Sequence, residues 1–259
     1  MLKRVLSALL VIITMTLPLS LSCQSKRQTG SYRVRVVESI PHDTNIYTQG
    51  MFIEDGVLYE SSGQYGKSFF RSADIKTGRT QKTFSFPANH FAEGAVSLNG
   101  RIYILTWMER VVYVIEKSTF KEIGKLNNPR EGWGLTTDGT HLIMSDGTEF
   151  IYFNDPMNFM TKRVLEVKNN GRPVKQLNEL EWIDGEIWAN VFMSDTIVII
   201  DPQTGNVRAT VNCSGLLPAS MRSAKTDVLN GIAYDKSNGN IYLTGKYWPK
   251  IFRVTLLKP

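Results

Sequence analysis

Cysteine and histidine are scarce in this chain. Cys23 and Cys213 are the two cysteines, and His42, His90 and His141 the three histidines. Two cysteines cannot build a disulfide framework. No two histidines stand at ligand spacing, which argues against a zinc-type His/Cys centre. Cys213 has no local histidine partner and reads as a small core or surface thiol. No glycine-rich phosphate loop is present. The formal charge is +6, yet no basic stripe forms, and the pair Lys26-Arg27 is brief. That excludes a nucleic-acid surface and leaves a solvated, mildly basic exterior. Long amphipathic helical stretches are also missing; a short helix is expected around Ala219 to Ala224.

The one extended apolar run lies at the N-terminus. Lys3 and Arg4 form a positive head, Val5 to Leu21 is mostly apolar and broken by Pro18, and Ser20-Leu21-Ser22-Cys23 follows. The run is short for a membrane span. It reads as a signal peptide over residues 1–22, with lipid attachment at Cys23. Ser20 departs from the leucine usual in a lipoprotein box, so plain cleavage nearby and an uncleaved anchor are the alternatives. Residues 23–31 then form a lipidated tether, and 32–259 the folded domain. The expected location is the cell envelope or periplasm, anchored to a bacterial membrane, with the protein a monomer.

The body is organised by repetition. Tyr47-Thr48-Gln49-Gly50 returns in weakened form as Phe91-Ala92-Glu93-Gly94, Glu131-Gly132-Trp133-Gly134, Leu177-Asn178-Glu179-Leu180 and Val228-Leu229-Asn230-Gly231. The spacing is roughly 40–50 residues, the period of a propeller blade. After each copy come an apolar-alternating run, a Gly turn and a second run. Asn99-Gly100 before Arg101 to Leu105 is a strong hairpin signal. Third and fourth strands follow, separated by turns such as Asp74-Ile75-Lys76-Thr77-Gly78 and Asp201-Pro202-Gln203-Thr204-Gly205. The prediction is an all-β, five-bladed β-propeller of four-stranded antiparallel blades, six blades being the alternative count. Tyr32 to Val37 alternates and could supply the outer strand that closes the final blade. Unlike polar groups at equivalent repeat positions suggest one shared site with divided roles.

Eight stretches together resemble the plant- and bacterial-type glutaminyl-peptide cyclotransferase family. They are the motifs around Gln49, Glu93, Trp133, Asn178 and Asn230, with Tyr59-Glu60-Ser61-Ser62-Gly63, Ile187-Trp188-Ala189-Asn190-Val191 and Thr244-Gly245-Lys246-Tyr247-Trp248-Pro249-Lys250. They run in family order and cover nearly all of the body. The resemblance implies a five-bladed fold and conversion of N-terminal glutamine of peptides or proteins to pyroglutamate with loss of ammonia. It further implies Glu93 as proton shuttle and Gln49, Asn178 and Lys246 as polar groups of the reaction. Phe91, Trp107, Trp133, Phe192 and Trp248 are its implied substrate-binding aromatics. Phe192 stands where the family often has Trp, and Tyr47 where Phe is common, which bears on substrate preference more than on the reaction. Glu60, Glu181 and Asn190 read as structural. The reaction requires no organic cofactor; a structural Ca²⁺ or Zn²⁺ beside the channel is compatible with it, without assignable ligands. Two other readings stand beside this one: a propeller that binds peptides or sugars without turnover, and a metal-dependent lactonase-type hydrolase.

Overall fold

The computed structural model describes residues 29–258. The proposed signal peptide, Cys23 and most of the tether lie outside them.

The chain opens with β1 (Gly30–Pro41). A first four-stranded sheet follows: β2 (Thr48–Glu54), β3 (Val57–Ser62), β4 (Phe69–Asp74) and β5 (Thr80–Ser85). The second comprises β6 (Ala92–Leu98), β7 (Arg101–Thr106), β8 (Val111–Glu116) and β9 (Glu122–Asn127). The third is β10 (Leu135–Thr137), β11 (Leu142–Ser145), β12 (Phe150–Asn154) and β13 (Thr161–Glu166). A small ladder joins β14 (Lys168–Asn169) to β15 (Arg172–Pro173). The remaining strands are β16 (Leu177–Ile183), β17 (Glu186–Val191), β18 (Thr196–Ile200), β19 (Val207–Asn212), β20 (Leu229–Asp235), β21 (Asn240–Gly245) and β22 (Lys250–Leu257). They form one eight-stranded sheet in the order β16-β17-β18-β19-β1-β22-β21-β20.

β1 is the joint of that sheet. It pairs antiparallel with β22 from Arg33 to Pro41, and parallel with β19 from Gly30 to Arg33. The N-terminal strand therefore does complete the last antiparallel group, as its alternation suggested. It starts at Gly30 and runs to Pro41, longer than the expected Tyr32 to Val37. Gly30 and Ser31 carry no apolar pattern, and only β19 makes them strand. The expected helix near Ala219 is a single 3-10 turn, Ala219–Met221.

Burial falls from the first strand of each group to the last. β2, β6, β16 and β20 are buried almost throughout, whereas β9 and β13 alternate toward solvent. A strand covered on both faces cannot show a half-buried alternation. The first strands contact one another in cyclic order: β2 meets β6, β6 meets β10, β10 meets β16, β16 meets β20 and β20 meets β2. The apolar core is divided the same way. Phe52, Phe70, Ile104 and Tyr113 fill the space between the first and second sheets, and Trp188, Ile232, Trp248 and Phe252 that between the last two groups. Met51, Leu58, Ile251 and Tyr242 close the circuit from the last group to the first.

The turns match their sequence signals. Asn99 and Gly100 both have positive φ, the requirement of a type I′ hairpin. At Asp74 the carboxylate accepts from the Thr77 amide at 2.8 Å, and Asp201 does the same for Gln203.

Candidate active site

Each repeat motif sits where the ladder is irregular. The pairing of β2 with β3 slips between Thr48 and Gly50, freeing Gln49. In β6 the slip spans Ala92 to Ala95, around Glu93. In β16 it spans Leu177 to Leu180, around Asn178 and Glu179, and in β20 Leu229 to Ile232, around Asn230. A bulge adds an unpaired residue and re-aims its side chain, and bulges gather beside active sites. Here the device recurs in four of the first strands. In the third sheet the motif precedes β10 instead, with Trp133 N–H donating to the Ser145 carbonyl at 3.1 Å.

Glycine lets these bulges meet. A Cβ on Gly94 would lie 2.4 Å from the Leu135 nitrogen, and one on Gly134 would lie 2.0 Å from the Asn178 oxygen. No side chain fits there, so the neighbouring backbones come into direct contact. The fourth motif has Leu180 in place of glycine. There Glu179 spans the gap with its carboxylate, accepting from Met51 N–H at 3.3 Å and Ile232 N–H at 2.8 Å. Burial pushes Glu179 far above the ordinary carboxylate range, and the adjacent Glu181 adds to it.

Glu93 is 6% exposed. Gln49 donates its amide Nε2–H to Glu93 Oε1 at 3.4 Å, and Asn230 donates to the Thr48 carbonyl at 2.8 Å beside it. Burial drives the Glu93 carboxyl well up; the charge of Lys246 pulls it partly back, while Glu109 and Glu131 push it further up. Lys246 is 3% exposed and lies in the turn between β21 and β22. Its ammonium stands 4.6 Å from the Tyr47 ring centre and 5.0 Å from that of Phe192. Burial lowers its pKa, and the charges of Glu93 and Asp227 oppose that. Asn178 sits at the bulge of β16 with its side-chain carbonyl oxygen buried and without a partner. The side-chain oxygen of Asn230, in the bulge of β20, is buried and unpartnered in the same way.

Aromatic side chains form a closed circuit above these groups. Tyr47 meets Phe91 edge-on at 6.4 Å, and Phe91 meets Trp107 at 5.7 Å. Trp107 and Trp133 both donate to Glu131 Oε2, at 3.0 and 3.3 Å. Trp133 meets Phe192 at 5.7 Å, and Lys246 links Phe192 back to Tyr47.

The sequence places Gln49, Glu93, Asn178, Lys246, Phe91, Trp107, Trp133, Phe192 and Trp248 in one site, and side-chain contacts join all of these except Asn178 and Trp248. Trp248 is different. It is 1% exposed, packs against Phe252, and donates its indole N–H to the Asp227 carbonyl at 2.9 Å. It supports the lysine turn from behind and has no surface left for substrate. Three residues of the site were not singled out in advance: Glu131, Asp227 and Tyr247. Glu131 lies inside a repeat motif, Tyr247 inside the stretch Thr244 to Lys250 and Asp227 just before the last repeat motif, but Trp107 and Tyr47, which they meet, come from other sheets. Tyr247 packs against Tyr47 with ring centres 4.9 Å apart and planes tilted by 49°.

The residues read as structural fit that reading. Glu60 is wholly buried and accepts from Thr48 at 2.7 Å, His42 at 3.0 Å and Arg71 at 2.9 Å. Burial alone would raise its pKa, but His42, Arg71 and Thr48 outweigh it and hold the carboxyl at about 2. Asn190 accepts from Gly231 N–H at 3.1 Å. Glu181 accepts from Tyr234 N–H at 2.9 Å and is pushed by burial to about 8. It lines a cavity of about 290 Å³ at the opposite ends of the first strands. Cys213 is buried, and burial raises its thiol to about 12. Among the described residues no three His, Cys, Asp or Glu side chains cluster as metal ligands.

Fold and site together define a propeller-like all-β protein with a buried acid at the mouth of a ring of strands. The WD40 β-propeller domain of Doa1 shares that fold at a TM-score of 0.50 and 14% identity, over 79% of this chain and 62% of that one. A family model described as glutamine cyclotransferase matches residues 8–256, and the chain belongs to that family. It is 36% identical over 227 residues to a glutaminyl-peptide cyclotransferase of Arabidopsis thaliana, covering 86% of this chain and 71% of the relative. The crystal structure of Myxococcus xanthus glutaminyl cyclase superposes with a TM-score of 0.84 at 32% identity, covering 90% of this chain and all of that one.

Proposed function

We propose that this chain converts the N-terminal glutamine of peptides or proteins to pyroglutamate and releases ammonia, on a five-bladed propeller whose first strands surround the site. The observation that carries this reading is a buried Glu93 held by a bulge beside the Gln49 amide and the Lys246 charge, beneath aromatic walls. Membership of the glutamine cyclotransferase family supports it, and the cyclic contacts of the first strands support the five-blade count.

The reaction is an internal displacement. The substrate's α-amine attacks its own side-chain carbonyl carbon, so nucleophile and electrophile arrive tethered. The pocket's task is to select one rotamer and exclude water. A free α-amine has a pKa of about 7.7–8.0, so it is mostly protonated at neutral pH; the neutral form attacks, its extra proton having already passed to solvent. Glu93 takes the proton from the α-nitrogen as the new C–N bond forms. It returns that proton to the side-chain nitrogen, which leaves as ammonia when the old C–N bond breaks. A raised pKa suits a carboxylate to both duties near neutrality. Between the two transfers the carbonyl oxygen carries negative charge, and Gln49 and Lys246 supply donors and positive charge for it. Asn178 offers its unpartnered carbonyl oxygen to an N–H of the substrate amide. One proton moves twice and no electrons are exchanged, so the scheme draws on no redox cofactor or group carrier.

Residues 1–22 and Cys23 lie outside the described residues, and the proposed export and lipid anchoring rest on the sequence alone. Intact mass of the membrane-extracted protein tests it: acyl mass on a chain beginning at Cys23 is expected, and an unmodified N-terminus contradicts it.

The test of function is mass spectrometry of a Gln-initiated dipeptide amide incubated with the protein lacking residues 1–23. Loss of one ammonia is the expected result. A folded protein that binds such peptides without converting any of them fits the binding-module reading and overturns this one.

A further inference from the structure

Beside the aromatic circuit lies an open groove of about 320 Å³, lined in part by Met193, Ser194, Asp195, Arg222, Thr226 and Asp227. It runs between the β17–β18 turn and the long segment that leads into β20. We infer that this groove receives the residues following the N-terminal glutamine, and that Asp195 makes it favour a basic side chain directly after the glutamine. The inference rests on the cyclotransferase reading and extends it to a second subsite.

Continuity with the site is the first ground. Asp227 is both a wall of the groove and the acceptor of the Tyr47 hydroxyl at 3.2 Å. Tyr47 in turn lies under the Lys246 ammonium. The backbones are tied as well: Asp227 N–H donates to the Lys246 carbonyl at 3.0 Å, and Lys246 N–H to the Val228 carbonyl at 2.9 Å. On the other side Met193 directly follows Phe192, a member of the circuit, and is 72% exposed. Lysine turn and groove wall thus form one unit.

The second ground is chemical. Cyclisation consumes only the first residue of a peptide, and the rest of the chain must leave the pocket through an opening. A closed aromatic ring offers hydrogen bonds to no extended backbone, whereas the groove is polar and open. The wall at Asp195 is also held without its charged tip. The Asp195 carbonyl accepts from Cys213 N–H at 2.8 Å, so the Asp195 carboxylate is not what fixes the turn.

The third ground is charge. None of the ion pairs among the described residues uses Asp195 or Arg222. The groove therefore presents two carboxylates, Asp195 and Asp227, against the one guanidinium of Arg222. Asp227 is occupied by the Tyr47 hydroxyl and by Val228 N–H at 2.8 Å. Asp195 is left to meet a cation, and the balance disfavours an acidic residue.

The deciding experiment compares kcat/KM for Gln-Arg-amide and Gln-Glu-amide in the parent, Asp195→Lys and Arg222→Glu. Rim charges are screened and modest, so the parent should prefer the basic peptide by about two- to fivefold. Asp195→Lys should abolish or invert that ratio, Arg222→Glu should raise it, and added salt should shrink it. An equal ratio in all three proteins overturns the inference, as does a parent preference for Gln-Glu-amide. Binding of the same two peptides, followed by tryptophan fluorescence, gives the same ratio without turnover. A parent that binds with this preference but releases no ammonia contradicts the cyclotransferase reading and leaves the groove standing.

Discussion

Trp107 and Trp133, which belong to neighbouring sheets, donate their indole N–H groups to the same oxygen, Glu131 Oε2, at 3.0 and 3.3 Å. One carboxylate thereby fixes the planes of two pocket walls and closes the aromatic circuit between the second and third sheets.

Replacing Glu131 with Ala removes the shared acceptor of both indoles at once. Each hydrogen bond to a charged group is worth about 1.5–3 kcal/mol, part of which water restores at this half-exposed position. We expect KM for a Gln-initiated peptide to rise roughly tenfold, with a smaller change in kcat. Glu131 is also one of the charges that push Glu93 up. Its loss should move the acid limb of kcat/KM to lower pH. A variant with unchanged KM and an unchanged acid limb contradicts this assignment.

Lys246 acts on Glu93 in the opposite direction. A base must be ionised to accept a proton, so kcat/KM should rise through the Glu93 pKa, which burial places well above the ordinary glutamate range. The Lys246 charge lowers that pKa, so Lys246→Met should raise it further. The expected outcome is an acid limb displaced to higher pH, together with a fall in kcat of about 10²–10³ for the lost donor. Rate loss without displacement would separate Lys246 from the titration of Glu93.

Glu60 is a stability element and not a chemical one. Glu60→Gln leaves the buried Arg71 guanidinium and His42 ring without their carboxylate, a change that costs about 3–5 kcal/mol. For a domain of this size, thermal melting should drop by roughly 10 °C. The folded-state pKa of about 2 lies below the ordinary 4.5. The carboxylate's contribution is therefore complete above about pH 4.5 and is lost as pH falls toward 2. The gap in stability between parent and variant should narrow across that window in chemical denaturation. A gap constant down to pH 2 contradicts the linkage.

Much of this was legible in the sequence because a repeat states its period five times over. Asn99-Gly100 and Asp74 to Gly78 announce their turns through residues that alone suit those backbones. The bulges were not legible: an extra residue in a strand leaves the apolar alternation intact on either side and shows only against a partner. Glu131 meets Trp107, and Asp227 and Tyr247 meet Tyr47, side chains of other sheets and a relation that one strand's pattern does not contain. Trp248 illustrates the converse, since an aromatic in a motif can line a pocket or back it. Its burial follows from Gly245, where a Cβ would lie 2.2 Å from the indole.

The central claim is that Glu93 carries the proton from the α-amine to the departing ammonia. The most direct measurement is the rate of ammonia release from a Gln-initiated dipeptide amide by the parent and by Glu93→Gln, across pH. The variant keeps the size and hydrogen-bonding reach of the side chain but cannot accept and return a proton. The account predicts a fall in kcat of about 10²–10⁴ and loss of the part of the acid limb that belongs to Glu93, leaving the part set by the substrate's α-amine. A Glu93→Gln enzyme that releases ammonia at the parent's rate, with the parent's pH profile, would contradict it.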